Sequence, residues 1–415
     1  MKRYIRLKER SAITRIHTPP EDYLKIRPTL IRENYFERTN RDNFLSAEVA
    51  IESKNKVFIL GGSFVENIYC ESNSRFCSVL GKTFGLNGYD LSFINSGVSG
   101  STSLNILNTV INKIIPFKPT HIICFIPTND GLCLELKGGL WNQSKHYSNL
   151  QGIDHKSERD KTDVPEKINQ ICNVYSTLKT LCTSFNIDLT VCSSPIIDGC
   201  IDNFYLYNKT SHEKFSKDRN LVFDSVLEFC NSIGIHTLDL RVAFSNKYEL
   251  FFDPVHTNAM GSIEVAKYLY EHLEPRFIKY KLESPRLTQK HLLESLALTK
   301  SAVWLDEILL PAQSNQKITI SFEIDCPSDV SRDNCALFIV DYDQQDLEYD
   351  QTKLSYSSAV GWYKYILTKT NCKYRISYTF NVPAGIPKIK IGFQSWYTNA
   401  EIKLTDVQVY IQELG

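Results

Sequence analysis

Between residues 56 and 277, short apolar runs alternate with segments in which apolar residues recur every three or four positions. The runs are KVFILGG (56–62), LSFINSG (91–97), PTHIICFIPTND (119–130), IDLTVCSSPI (187–196) and IHTLDL (235–240). Each has strand length and ends in glycine or polar residues, the pattern of a buried strand. The segments between and after them, 74–85, 101–115, 167–186, 221–234 and 258–277, carry helical spacing. A serine or threonine stands as a cap before the second of them. Strand and helix in regular alternation predict an α/β unit, a parallel sheet joined by right-handed crossovers and covered by helices on both faces.

Near residue 290 the pattern changes. From Lys317 the chain reads ITISFEID, CALFIVDYD, YKYILT, YRISYTFNVP, KIKIGFQSWY and EIKLTDVQVYI, short alternating stretches rich in β-branched and aromatic residues. This predicts an antiparallel β-sandwich of jelly-roll-like pattern. The expected organisation is an N-terminal extension (1–50), an α/β domain (51–280), a connection (281–300) and a sandwich (301–415). A chain of 415 residues suits two cores better than one.

Composition narrows the partners. Lys plus Arg and Asp plus Glu balance at 47 each, so no global field draws the chain to nucleic acid or anionic membranes. No run approaches a membrane span, and no apolar core follows the basic start MKRYIRLKER. A cytoplasmic protein is the expectation. Twelve cysteines are scattered without CxxC pairs or zinc-finger spacing, which predicts reduced, buried thiols, no metal site and no bound cofactor.

In an open parallel sheet, ligands gather beyond the carboxyl ends of the strands. Four segments fall there. Ser63 follows Gly61-Gly62, where glycines let the chain turn sharply off a strand and aim a hydroxyl into the crevice. NSGVSGS (95–101) offers glycines through which backbone N–H groups approach a ligand, followed by a helix start. TNDG (128–131) offers Asn129, whose amide can donate to an oxyanion. FFDPVHTNAMG (251–261) sets Asp253 three residues before His256, close enough to orient an imidazole through Nδ1 and leave Nε2 as a base. Taken singly, each has a commoner role: a turn, a strand-to-helix loop, an Asx-turn, a helix cap. His17, His121, His146, His155, His212, His236, His272 and His291 have no partner at useful spacing.

In this order the four blocks resemble the SGNH hydrolases, or GDSL-type esterases, over about residues 55–275. The resemblance implies a flavodoxin-like sheet and a catalytic triad of Ser63, Asp253 and His256. It also implies an oxyanion hole made by the backbone N–H groups of Ser63 and Gly100 with the Asn129 side chain. Gly97 is the alternative glycine. Two positions depart from the family pattern: Gly62 stands where aspartate is usual, and Pro127 where GxND has glycine.

The chemistry so implied is acyl transfer through a serine ester. The C-terminal strands resemble a carbohydrate-binding module in pattern. Trp362, Trp396 and Tyr397 are candidates for an aromatic platform there, and Trp141 and Tyr147 for stacking on a sugar beside the site; core packing is the competing role of each. With a cytosolic setting these features favour O-acetyl transfer from acetyl-CoA to a carbohydrate or polysaccharide. The alternatives are a carbohydrate O-acetylesterase with the same triad, and a glycan-binding protein on a degenerate hydrolase fold.

Overall fold

The computed structural model describes residues 4–5, 14–27, 29–151, 158–197, 209–327, 335–342, 347–368, 372–396 and 401–414. The chain divides into two compact units. The first comprises Met1–Ala47, Ser53–Leu80 and Leu91–His272, the second Glu48–Glu52, Gly81–Asp90 and Leu273–Gly415.

In the first unit the five apolar runs form one parallel sheet: Lys56–Leu60, Ser92–Asn95, His121–Phe125, Asp188–Cys192 and His236–Leu238. Counting strands along the chain, their spatial order is 2-1-3-4-5. The connection leaves the first strand toward one neighbour and returns to pair the third on its other side. Such a reversal opens a crevice at the carboxyl ends of the strands.

Side chains alternate across the sheet. Phe58, Leu60, Ile122, Cys124 and Val191 join a core with the helices Ser103–Thr109, Val164–Ser184 and Lys209–Ser232. On the other face Phe125 meets Phe64 and Phe76 at ring distances of 5.3 and 5.4 Å. Between the second and third strands, Thr102 caps its helix reciprocally with Asn105. That helix continues through a π turn, Val110–Ile114.

Two features of this unit lie outside the expected elements. Asp253 and His256 sit opposite each other in a hairpin of Phe251–Asp253 with His256–Thr257. The N-terminal residues, read as irregular, contain an antiparallel pair, Thr14–His17 with Tyr35–Arg38, and a helix, Glu21–Lys25.

The second unit carries two antiparallel sheets. One has the order Leu287–Ala297, Lys403–Leu414, Asn315–Cys326, Cys372–Val382. The other runs Val303–Trp304, Lys388–Ser395, Ala336–Asp341, Gly361–Ile366, Ser355–Ser357. Phe322 of the first sheet meets Phe393 of the second edge to face at 5.5 Å, and Phe338 meets Phe380 at 5.9 Å, so their inner faces share one core. Residues 281–300, expected as a connection, contain the edge strand Leu287–Ala297.

The turn off the first strand depends on Gly61. A β-carbon there would stand 2.3 Å from Val65 Cγ2 and 3.2 Å from Phe125 Cβ, whereas one at Gly62 would meet nothing closer than 3.8 Å. Gly61→Ala is therefore expected to cost about 1–3 kcal/mol through overpacking, and Gly62→Ala distinctly less. Chemical denaturation of the two variants checks the ranking.

Candidate active site

Ser63 opens a four-residue helix, Ser63–Glu66, directly beyond the first strand. At the first helical position its N–H has no acceptor within the helix. The helix ends at Asn67 in the left-handed conformation, φ 43°. Asn67 is buried, and its Nδ2 donates to the Thr257 carbonyl at 2.9 Å. This bond ties the serine segment to the strand that carries His256, 193 residues later.

His256 Nε2 lies 2.7 Å from Ser63 Oγ. Its Nδ1 lies 2.7 and 2.9 Å from the two Asp253 oxygens. With the proton on Nδ1, the imidazole donates to Asp253 and accepts from the serine hydroxyl. Asp253 also receives the backbone N–H groups of Val255 and His256, each at 2.9 Å. The DPVH turn thus wraps the carboxylate in its own amides. The His256 ring stacks on Phe252, with centroids 5.5 Å apart and planes 6° off parallel, which fixes its tilt. Asp253 is 7% exposed and His256 19%. Burial alone would push the Asp253 carboxyl upward. The His256 charge and hydrogen bond, the Val255 N–H and the Arg27 guanidinium together hold it below its ordinary value.

The glycine loop is held by side chains. Val98 N–H donates to the Gly61 carbonyl at 3.1 Å. Ser99 donates through both N–H, at 2.6 Å, and Oγ to the buried Glu66 carboxylate. Asn95 Nδ2 bonds the Val65 carbonyl at 2.9 Å, and its Oδ1 accepts the Gly97 N–H at 2.9 Å. Gly97 packs so closely on the serine helix that a β-carbon would lie 2.6 Å from Glu66 N. Gly100 instead lies in the turn after Val98, at φ 73°. The two glycines therefore serve different ends, Gly97 admitting the helix and Gly100 making the bend.

Asn129 begins the helix Asn129–Cys133 after the third strand. Its Nδ2 donates to the Ser101 carbonyl at 3.0 Å, which engages one of the amide's two hydrogens. The same nitrogen stands 3.8 Å from where a Gly62 β-carbon would be, beside the residue that precedes Ser63. Asp130, fully buried, accepts the Ser103 N–H at 3.0 Å and the Ser103 hydroxyl, which also lies 3.0 Å from Tyr175 Oη. The asparagine and glycine loops are thereby locked together under the crevice.

The sequence-predicted residues Ser63, Asp253 and His256 thus form one hydrogen-bonded chain, and Asn129 and Gly100 occupy the two flanking loops. Trp141 is 59% exposed on a short 3₁₀ turn, and Tyr147 packs against the core beneath the helices. Trp362, a platform candidate whose competing role was core packing, takes the core role: it is 6% exposed and set between the rings of Tyr342 and Tyr356. Trp396 is half-buried, and Tyr397 lies outside the described residues.

Sequence reasoning gave no role to Glu66 and Asn67, three and four residues after Ser63, and saw Asp130, next to Asn129, only as a turn residue. It also missed Tyr23 and Arg27, which reach Asp253 from the N-terminal segment, with Tyr23 Oη at 3.3 Å and Arg27 Nε at 4.0 Å from Oδ2. Cys70, the nearest thiol in sequence, is fully buried, and burial pushes it up to about 12, far from a thiolate nucleophile. Among the described residues no three His, Cys, Asp or Glu side chains are grouped to hold a metal. No described helix is long and apolar enough to cross a membrane.

No protein family and no curated protein matches this chain. Solved structures do resemble it. The acetyl xylan esterase AlAXEase is 17% identical, covering 52% of this chain and 99% of its own, with a TM-score of 0.38. A catalytic mutant of Axe2, an acetylxylan esterase from Geobacillus stearothermophilus, is 14% identical over 54% of this chain and 96% of its own, TM-score 0.38. A GDSL-like lipase from Bacteroides thetaiotaomicron is 12% identical over 55% and 93%, TM-score 0.36.

The buried Asp130 carboxyl is pushed up to about 7 by burial, against the lowering effect of the Ser103 hydrogen bonds. Between its unfolded and folded values, the folded state holds a proton that the unfolded state has released, so stability falls as pH rises through that window. Asp130→Asn removes the titration. The wild-type melting temperature is expected to fall relative to that of Asp130→Asn from about pH 4 to about pH 8; parallel curves from thermal scans would contradict it.

Proposed function

We propose that this chain is a serine-dependent hydrolase of small carboxylic esters, acting on acetyl groups carried by a carbohydrate through an acyl-serine intermediate. The observation that carries the reading is the continuous chain from Ser63 Oγ to His256 Nε2 and from His256 Nδ1 to Asp253, each link 2.7 Å at its shortest. A serine hydroxyl is a weak nucleophile at neutral pH until a base takes its proton as it attacks. His256 is that base. Asp253 holds the tautomer and stabilises the imidazolium that forms.

Attack of Oγ on the ester carbonyl makes a bond to carbon and puts negative charge on the carbonyl oxygen. The Ser63 and Gly100 N–H groups and the second Asn129 amide hydrogen receive that oxygen. His256 then returns the proton to the departing sugar oxygen as the carbon–oxygen bond breaks. A water, deprotonated by the same nitrogen, releases the acid from Ser63. Water reaches the imidazole, which is 19% exposed, so no separate acceptor is required to resolve the intermediate. The carbohydrate portion of the reading is supported by the jelly-roll-like pattern of the second unit's strands and by exposed Trp141 on the segment after Asn129. Transfer of the acetyl group from acetyl-CoA to a sugar hydroxyl would use the same acyl-serine, and the acceptor decides between them.

Ser63→Ala is expected to reduce p-nitrophenyl acetate hydrolysis by about 10³-fold or more, and Asn129→Ala to lower kcat by about 10²–10³-fold. Undiminished turnover in Ser63→Ala would remove the proposal. Acetate release from acetylated xylo-oligosaccharides should proceed without any added acceptor. If instead acetyl-CoA is consumed only when a glycan is present, and mass spectrometry finds the glycan acetylated, transfer replaces hydrolysis.

A further inference from the structure

Asp253 has two neighbours that a triad does not require, both from the N-terminal segment. Tyr23 lies in the helix Glu21–Lys25 and donates its hydroxyl to Asp253 Oδ2 at 3.3 Å. Arg27 follows that helix, is buried, and sets Nε 4.0 Å from the same oxygen. The two are coupled, with the guanidinium carbon 3.0 Å from the centre of the Tyr23 ring. Oδ2 is also the oxygen closest to His256 Nδ1. One carboxylate oxygen therefore faces an imidazole, a phenol and a guanidinium.

The segment is seated on the strand that bears Asp253. Leu30, Tyr35 and Phe252 form a buried cluster against which Tyr23, Leu24 and Tyr69 pack. Tyr69 meets Tyr23 at 5.6 Å and Phe252 at 5.9 Å, and Phe252 is the ring under His256. Thr29 donates to the Phe251 carbonyl. Apolar contact thus fixes where Tyr23 and Arg27 stand.

We propose that Tyr23 and Arg27 are positioning residues that clamp the Asp253 carboxylate and lower the proton affinity of His256. The phenol restricts rotation of the carboxylate. The guanidinium keeps it ionised and partly cancels its field at the imidazole, since like charge beside a nascent imidazolium disfavours protonation. Asp253 is acted on by His256, the Val255 N–H and Arg27, with the Tyr23 hydroxyl at 3.3 Å and Ser63 reached through His256; Tyr69 packs on Phe252. The kinetic consequence rests on the esterase reading above, while the proton affinity of His256 does not.

Arg27→Gln, Arg27→Lys and Tyr23→Phe in the full chain test this. The pH dependence of kcat/KM on p-nitrophenyl acetate gives one readout. The titration of the His256 Cε1 proton, followed by NMR, gives the other. Arg27→Gln should move both the acid limb and the NMR midpoint to higher pH by about half a unit or more. Arg27→Lys, which keeps the charge, should restore most of the shift. Tyr23→Phe should lower kcat several-fold with little effect on KM. If Arg27→Gln lowers the melting temperature while the NMR midpoint stays at the wild-type value, the segment is structural and the clamp is refuted. Should Arg27→Gln fail to fold, Arg27→Met takes its place in both readouts, and a wild-type NMR midpoint in Arg27→Met together with unchanged kcat in Tyr23→Phe refutes it equally. A raised midpoint with no Ser63-dependent turnover in any form keeps the clamp and removes the esterase reading instead.

Discussion

A carboxylate withdrawn from water stays ionised only where charge and donors replace its hydration. Asp253 meets that condition within a few residues of chain. The turn after it folds two amides onto Oδ1, and the imidazole three residues on supplies a third donor with latent positive charge. Pro254 narrows the conformations the turn can take. His256 owes its orientation to this carboxylate on one side and to the Phe252 ring beneath it. Without the buried anion the imidazole would have no reason to hold Nε2 toward Ser63.

Placing Ser63 opposite that nitrogen is a separate problem, because the two arrive from distant parts of the chain. Polar cross-links between loops solve it. Asn67 joins the end of the serine helix to the strand that carries His256, Glu66 anchors the glycine loop at Ser99, and Asn129 reaches the same loop at Ser101. Asp130 fastens the next helix through Ser103. Each is a buried or half-buried polar group whose bond would be costly to leave unmade, so each admits few arrangements of its loop. Apolar packing brings the strands into one sheet; these bonds set the relative positions of what projects from its edge.

The sheet was legible because buried parallel strands must be apolar on both faces and end where the crevice begins. The five runs and the helices between them were accordingly visible as runs and periods, and so were Ser63 and Asn129 at their ends, while Asp253 and His256 stood out by their spacing of three residues before a helix. Other features left no such mark. The strand Leu287–Ala297 lies at a sheet edge and is largely exposed, so its sequence is polar and reads as a connection. The hairpin carrying Asp253 and His256 has strands of three and two residues, too short for any period. Trp362 was ambiguous for another reason: an aromatic in a strand reads alike whether its ring faces the core or a ligand, and the neighbouring Tyr342 and Tyr356 decide for the core. Tyr23 and Arg27 were invisible because their role lies in a partner some 230 residues away, and no local spacing records that.

The departure at position 62 acquires a meaning from the geometry. A β-carbon there would face Asn129 Nδ2 and the Ser101 carbonyl, each 3.8 Å away. A carboxylate carried on it would compete for the Asn129 hydrogen that Ser101 leaves unused. Glycine leaves that hydrogen for an incoming oxygen, the role proposed for it. The same absence of a side chain leaves the space beside Ser63 open, with nothing closer than 3.8 Å to where a β-carbon would stand. Pro127 acts on the other wall: it cannot donate a backbone hydrogen bond, and its β-carbon is the next nearest atom to that open position, at 4.0 Å. The two departures therefore bear on one space, with glycine emptying it and proline stiffening its edge, and both leave the bonds that hold Asn129 in place.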